Sequence, residues 1–369
     1  MKMDKVRHVL GISGGKDSAA LAIYMHQKYP QFDIEYYTCD TGKELTETYK
    51  LIDNLEVYLG KKITRLKAFE NSTEAPFDHK LKTLGGFLPS PLNRWCTKTL
   101  KLDLFEKFIG TDPVISYVGI RGDEDREGYI SNKSNIQSIF PFRRNIWSED
   151  VLRKAMSNAN LPWLLEAYDK FAEKGITERF RVILETPLSA AFDMASKINK
   201  LLNLDISEFN TLINEFIKTT DYPLAREESF PLLTNEDNLI RQDIFDILEN
   251  SNVGVPEYYK AIEFEVDGMK GSYSRSRSGC FFCFYQQKIE WIWLFEQHPD
   301  LFAQAMIYEK EGAHTWNDGE SLADIIQPER VRQIKLDYLK KVARTKTNSP
   351  YLLDLLDDAE EEGCASCFI

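Results

Sequence analysis

The sequence contains no apolar run near the ~20 residues that a membrane-spanning helix needs. It also lacks an excess of positive charge. Its 46 Lys and Arg stand against 58 Asp and Glu, for a formal net charge of −12. Such acidity argues against a protein that grips free nucleic acid with its whole surface. It is compatible with local basic patches and with DNA held by a partner. No repeat of solenoid period occurs. Histidine is scarce, and its 5 copies show no metal-ligand spacing, so they are assigned to surface or core. The Gly-x-x-x-x-Gly-Lys spacing is missing, which excludes a Walker-type loop. Met1-Lys2-Met3-Asp4-Lys5 leads straight into a strand-like run, so no signal peptide is expected and the chain is read as cytoplasmic.

What is present points to a fold of the α/β class. The 369 residues suffice for two domains, or for one large domain with an insertion. Apolar residues make up 43%, enough for a packed core, so global disorder is excluded. Runs at 6–12, 34–39, 63–66 and 114–120 read as strands. Between them, 17–28, 44–59 and 94–108 read as helices, and Gly60 is placed to end the second. This alternation predicts a doubly wound parallel sheet. Ligands of such sheets bind beyond the carboxyl ends of the strands. The turns after Ile12, Cys39 and Ile120 should therefore meet at one site. From about 151 to 234 the periodicity becomes helical, with Leu164, Tyr168 and Phe171 as one spaced set. The expected division is 1–150 as a nucleotide-binding domain, 151–235 as a helical insertion and 236–369 as a helical region bearing cysteines. The Trp-, Phe- and Leu-rich stretch at 288–306 reads as a buried helix face.

Ser13-Gly14-Gly15-Lys16-Asp17-Ser18 follows a strand and opens a helix. Glycines let the backbone approach phosphate oxygens, and N–H groups at a helix N-terminus bind anions. Ser13 and Ser18 add hydroxyls, and Lys16 adds a cation. Asp17 is out of place beside phosphates unless a cation intervenes, so Mg²⁺ is expected. The plainer alternative, a glycine turn capping an ordinary helix, is weakened by the strand before it. Asp40 can accept hydrogen bonds from nucleotide hydroxyls or base donors, or else form an Asx-turn. Arg121 offers bidentate donors for phosphate or sulfate, or else pairs with Asp123 or Glu124. Arg143 and Arg144 extend this positive patch or lie on a solvated face.

Of 6 cysteines, four form two Cys-x-x-Cys pairs, Cys280/Cys283 and Cys364/Cys367. Without an export signal such pairs read as metal, cluster or redox sites. Cys280 and Cys283 flank two phenylalanines that would exclude water from a bound metal or cluster edge. Two buried thiols are the alternative. Cys39 lies within a strand and reads as core.

Residues 13–18 resemble the pyrophosphate (PP) loop of N-type ATP pyrophosphatases and PAPS reductases. Asp40-Thr41-Gly42 resembles the Asp-Thr-Gly turn of PAPS reductases. Arg94-Trp95-Cys96-Thr97, with Lys98 and Lys101, resembles the helix that carries a cluster cysteine in iron–sulfur members. Gly119-Ile120-Arg121, with Glu124 and Arg126, resembles their arginine loop. Pro256, Tyr258 and Tyr259, followed by Arg277-Ser278-Gly279-Cys280-Phe281-Phe282-Cys283, resemble the cysteine motif of the ATPase-like protein in Dnd-type DNA phosphorothioation systems.

The resemblance implies an adenine nucleotide alpha hydrolase-like fold. It implies ATP held by Ser13, Gly14, Gly15, Lys16, Asp17, Ser18, Asp40, Thr41, Gly42, Lys98, Arg121 and Arg126, with Lys16, Asp17 and Arg121 catalytic. The implied reaction is attack on the α-phosphate with pyrophosphate leaving, which activates an oxygen by adenylation before sulfur displaces AMP. DNA is the implied acceptor, contacted mostly through partner proteins of a modification or phage-defence complex. It further implies a [4Fe–4S] cluster on Cys96, Cys280 and Cys283, with Cys364 or Cys367 as fourth ligand. The rival is a Zn²⁺ site on Cys280, Cys283, Cys364 and Cys367 that leaves Cys96 free. A PAPS or APS reductase is a second reading, although one cysteine follows Trp95 where cluster-bearing APS reductases carry a Cys-Cys pair. A nucleotide-sensing scaffold is the third.

Overall fold

The computed structural model describes residues 5–124, 133–171, 177–309 and 314–348. Continuous apolar runs suit strands that are covered on both faces. The chain forms β1 (Arg7–Gly11), β2 (Ile34–Asp40), β3 (Ile63–Lys67), β4 (Val114–Tyr117) and β5 (Ile136–Ile139). They make one sheet in the order β3-β2-β1-β4-β5, and every pairing is parallel. Parallel neighbours need crossovers. Helices α1 (Lys16–Lys28) and α2 (Thr46–Leu59) lie on the path between β1 and β3. Every residue of α1 from Lys16 to Met25 is buried. Helix α2 is amphipathic and buries Leu51, Ile52, Leu55 and Leu59. It ends at Gly60, whose φ of 61° is the left-handed cap that glycine adopts without strain. The fold is thus α/β, with a five-stranded parallel sheet flanked by helices.

Three features depart from the sequence reading. The helix expected at 94–108 is divided into Trp95–Thr97, a π-helical turn at Lys98–Leu102, and Asp103–Ile109. Strand β5 was not expected, because Gln137 and Ser138 interrupt its apolar character; both are buried, and Gln137 Oε1 accepts from the Leu224 N–H at 3.0 Å. A hairpin of Ile262–Val266 and Met269–Tyr273 also went unread. Its turn is Asp267-Gly268, with φ of 51° and 76°, the two positive angles of a tight hairpin turn. That dipeptide was the signal available for it.

Two apolar cores carry the chain. In the first, Leu10, Ile115 and Tyr117 of the sheet join Leu164, Tyr168, Leu201 and Leu212, so the helices of 149–217 pack directly on the sheet side of the molecule. In the second, Leu45, Phe77, Trp95 and Leu100 join Phe281, Phe282, Trp291 and Trp316. The 288–306 stretch is two helices, Lys288–Gln297 and Pro299–Tyr308, with Trp291 through Leu294 buried. No helix among the described residues is long and apolar enough to cross a membrane.

His8 is buried in β1, with Nδ1 2.8 Å from the Tyr117 hydroxyl and its ring stacked on Phe32 at 5.0 Å. Burial, and secondarily Lys5, push its pKa down to about 4. The folded state therefore keeps a neutral imidazole where the unfolded chain takes up a proton below pH ~6.5. Stability from this residue is constant above that pH and falls as pH drops toward about 4. Thermal denaturation should show a steeper loss of Tm between pH 6.5 and 4.5 for the wild type than for His8→Gln; equal slopes would refute the assignment.

Candidate functional site

The loop at 13–18 leaves the carboxyl end of β1 and opens α1. Gly14 sits at φ 75°, and a Cβ there would meet Thr48 Cγ2 at 2.2 Å, so no side chain fits. Gly15 is the N-cap of α1 and no side chain caps the helix. A ring of hydroxyls surrounds the turn instead. Ser13 Oγ and Ser18 Oγ lie 3.1 Å apart, and the Lys16 N–H donates to the Tyr259 hydroxyl at 3.3 Å. Tyr258 donates to the Gly14 carbonyl at 2.9 Å. Ser278 stands over Gly15, where a Cβ would come within 2.7 Å of its Oγ. The segments around 258 and 278 thus roof a loop some 240 positions earlier in the chain, as the 243-residue separation of the Lys16–Tyr259 pair records.

Asp17 is offset from within the protein. Lys16 Nζ lies 3.2 Å from its Oδ2, and Arg121 Nη1 lies 3.0 Å from its Oδ1. Lys16 is 1% exposed and Arg121 is 0% exposed, so both cations are out of water. Arg121 also meets Asp123 at 2.9 Å through Nε and Glu124 at 3.0 Å through Nη1. These are the partners that the ion-pair alternative for Arg121 named. Asp17 thus meets two cations from within the protein, one of them shared with Asp123 and Glu124. Gly119 lets this loop close on α1, because a Cβ there would lie 2.9 Å from the Asp17 carbonyl oxygen.

The turn after β2 is tied in a different way. Asp40 Oδ1 accepts from the Gly42 N–H at 2.8 Å and from Tyr49 at 2.9 Å, and Oδ2 meets Lys67 at 3.0 Å. Burial pushes this carboxyl up, but Lys67, the Gly42 N–H and Tyr49 outweigh burial and hold it below the usual carboxylate range. Glu44 accepts from Thr41 Oγ1 at 2.6 Å, from the Lys43 N–H at 3.0 Å and from Tyr49 at 3.0 Å. Thr41 Oγ1 also lies 3.2 Å from Cys280 Sγ, and the Phe281 N–H donates to the Lys43 carbonyl at 2.9 Å. The cysteine loop is therefore stitched to the strand-end turn by main-chain and side-chain bonds together.

Cys96, Cys280 and Cys283, far apart in sequence, line one cavity of about 50 Å³ with Lys101 and the rings of Phe77, Phe282 and Trp316. That is room for a few water-sized occupants. Burial, then the neighbouring Cys283, pushes the Cys96 thiol up to about 11. Burial and then Glu44 push Cys280 up as well. Among the described residues, no three His, Cys, Asp or Glu side chains are grouped tightly enough to hold a single metal ion. Cys39 is core, its thiol pushed up to about 12 by burial. Lys98 is exposed on the π-helical turn. Arg126, Cys364 and Cys367 lie outside the described residues.

Sequence reasoning missed Glu44 and Arg275. Arg275 is fully buried, and its Nη2 donates to the Cys280 carbonyl at 3.1 Å. Its Nε and Nη1 find no hydrogen-bond partner among the described residues. Nothing in the sequence around either residue marks it out.

No family model matches the chain. Over 181 residues the chain is 33% identical to an uncharacterized protein of Methanocaldococcus jannaschii. The match covers 45% of this chain and 34% of that protein, so the chain spans about a third of its relative's length.

Replacing Arg121 by Met should leave Asp17 and Glu124 buried without their shared cation. Breaking a buried pair in this way costs about 3–5 kcal/mol. Urea denaturation should register a loss of that order, and Arg121→Lys should recover only part of it, since one ammonium cannot serve three carboxylates in a fixed fork. A loss below ~1 kcal/mol would contradict the central role given to Arg121.

Proposed function

We propose that the chain binds ATP at the carboxyl ends of β1, β2 and β4 and cleaves it between the α- and β-phosphates. The observation that carries this reading is the uncapped α1 N-terminus behind Gly14 and Gly15, with the Lys16 N–H already engaged by a hydroxyl. The N–H groups of a helix N-terminus, with hydroxyls nearby, favour phosphate oxygens. The resemblance to PP-loop enzymes then favours AMP and pyrophosphate as products. Under this reading the sheet is of the doubly wound type, and its switch point between β1 and β4 is where a nucleotide would lie.

Each residue has a task within that proposal. The loop N–H groups, Ser13 and Ser18 bind the departing pyrophosphate and stabilise its charge. Lys16 exchanges the Asp17 carboxylate for a phosphate oxygen. Arg121 keeps Asp17 and the loop in place from the β4 side. Asp40, with Oδ1 on the Gly42 N–H and Oδ2 on Lys67 of β3, orients Thr41 and Gly42.

The resemblance assigns a [4Fe–4S] cluster to Cys96, Cys280 and Cys283, which line one apolar-rimmed cavity and would hold it there. The cluster would supply electron or sulfur chemistry beside the nucleotide. Sulfur transfer to DNA, in phosphorothioation or a related defence system, is the acceptor chemistry that the resemblance favours. With a net charge of −12, most DNA contacts would fall to partner proteins.

Calorimetry on Gly15→Val should show ATP binding abolished, since the new side chain collides with Ser278 and blocks phosphate approach; unchanged affinity would sink the site. Product chromatography should find AMP and pyrophosphate, whereas ADP and phosphate alone would overturn the bond assignment. Anaerobically purified protein should be brown with about four irons per chain. Stoichiometric zinc that is lost on Cys364→Ser but kept in Cys96→Ser would instead establish the zinc site.

A further inference from the structure

A second cavity, of about 560 Å³, is lined by Gly122 and Glu124 of the loop after β4 and by residues of 143–152 and 194–203. Its size falls within the ~300–1,000 Å³ of small-molecule sites. One wall comes from the strand-end loops and carries Gly122, Arg143, Arg144 and Asn145. The facing wall is the insertion helix Met194–Leu204, with Ile198 and Leu202 as an apolar floor and Asn199 and Asn203 beside them. Asn238 closes the space, so close to Gly122 that a Cβ there would meet its Oδ1 at 2.3 Å.

The lining has an unusual chemistry. Four carboxamides, Asn145, Asn199, Asn203 and Asn238, face one cavity. A carboxamide carries both a donor and an acceptor; here Asn145 Oδ1 accepts from the Trp147 N–H at 3.3 Å and Asn203 Oδ1 from Arg144. Arg144 donates to Asn203 Oδ1 at 3.2 Å and makes no ion pair among the described residues. The two carboxylates of the lining are committed elsewhere, Glu124 to Arg121 and Glu149 to Arg153. Arg144 is thus the cation that the cavity presents to a ligand. Arg143 Nε donates to the Arg121 carbonyl at 3.0 Å, and Arg121 in turn holds Asp17. The cavity and the loop therefore share one hydrogen-bonded frame.

Carboxamides beside an apolar floor match the donor and acceptor edges and flat faces of a nucleobase, as asparagine does with adenine. A guanidinium matches phosphate. A simple anion would need more cation, and an apolar ligand would find four amides in its way. We propose that the helical insertion builds a second nucleotide site, which takes one nucleoside monophosphate unit. The unit is either a free nucleotide or an exposed nucleotide of a single strand. This binding is independent of the ATP-binding reading above.

The test uses the full chain, a fluorescein-labelled single-stranded oligodeoxynucleotide followed by anisotropy, and deoxycytidine monophosphate followed by calorimetry. At least one probe should bind, and Arg144→Ala and Asn199→Leu should each weaken it about tenfold. Asn199 is exposed on its helix, so its variant keeps the fold even if Arg144→Ala does not. ATP binding, measured separately, should stay within about twofold in both variants. Binding of the monophosphate alone assigns a free nucleotide. Strand binding that the monophosphate displaces assigns a nucleic acid. If neither probe binds at millimolar concentration, or if both variants bind as the wild type does, the proposal falls. If Gly15→Val keeps ATP while the cavity variants lose their probe, the cavity stands and the loop assignment falls.

Discussion

The Arg121 guanidinium, with no exposure to solvent, holds Asp17, Asp123 and Glu124 at about 3 Å, and the geometry of the strand ends follows from that. Among the described residues, three carboxylates, Asp17, Asp123 and Glu124, meet two cations, Arg121 and Lys16. Buried charges are tolerated only when paired and hydrogen-bonded, and removing one partner is more costly than removing the set. The network therefore locks the first turn of α1 to the loop after β4. It also sets the terms for a phosphate ligand. The cations nearest the loop already serve carboxylates, so under the proposed reading the first hold on phosphate comes from N–H groups and hydroxyls. Lys16 follows by changing partners.

The cysteine loop gives the site its second constraint. It does not float as a tail but is bonded to the turn after β2 through Thr41, Lys43 and the bridge between Glu44 and Cys280. Ser278, two residues before Cys280, stands over Gly15. One short segment thus touches the phosphate-type loop, the Asp-Thr-Gly turn and the thiol cavity. Arg275 supports that segment from beneath with a bond to the Cys280 carbonyl. A change at the thiols has a direct mechanical route to the loop, and the second apolar core, with Phe77, Phe282 and Trp316, stiffens that route.

Much of this was legible in the sequence because period and punctuation agree with the fold. The apolar runs at 6–12 and 34–39 became adjacent parallel strands, and Gly60 ended its helix as its freedom at positive φ suggests. The meeting of Cys96 with Cys280 and Cys283 was expected from resemblance alone, since no local pattern could unite residues so far apart. What stayed hidden has physical reasons. β5 carries Gln137 and Ser138, both buried, and Gln137 Oε1 is bonded by the Leu224 N–H, a tertiary neighbour. The commitment of Arg121 to carboxylates depends on Asp17 arriving from another element, so the sequence left that choice open. The cavity between Arg144 and Asn199 is formed by two segments with no shared motif.

The account rests on phosphates meeting the main chain of the loop at 13–18. A crystal structure with α,β-methylene-ATP, which resists cleavage at the bond in question, tests this most directly. The account expects the β- and γ-phosphates within hydrogen-bond distance of the N–H groups that follow Gly14, with Lys16 Nζ moved from Asp17 to a phosphate oxygen. Phosphates seated away from this loop, with the Lys16–Asp17 pair intact, would contradict it.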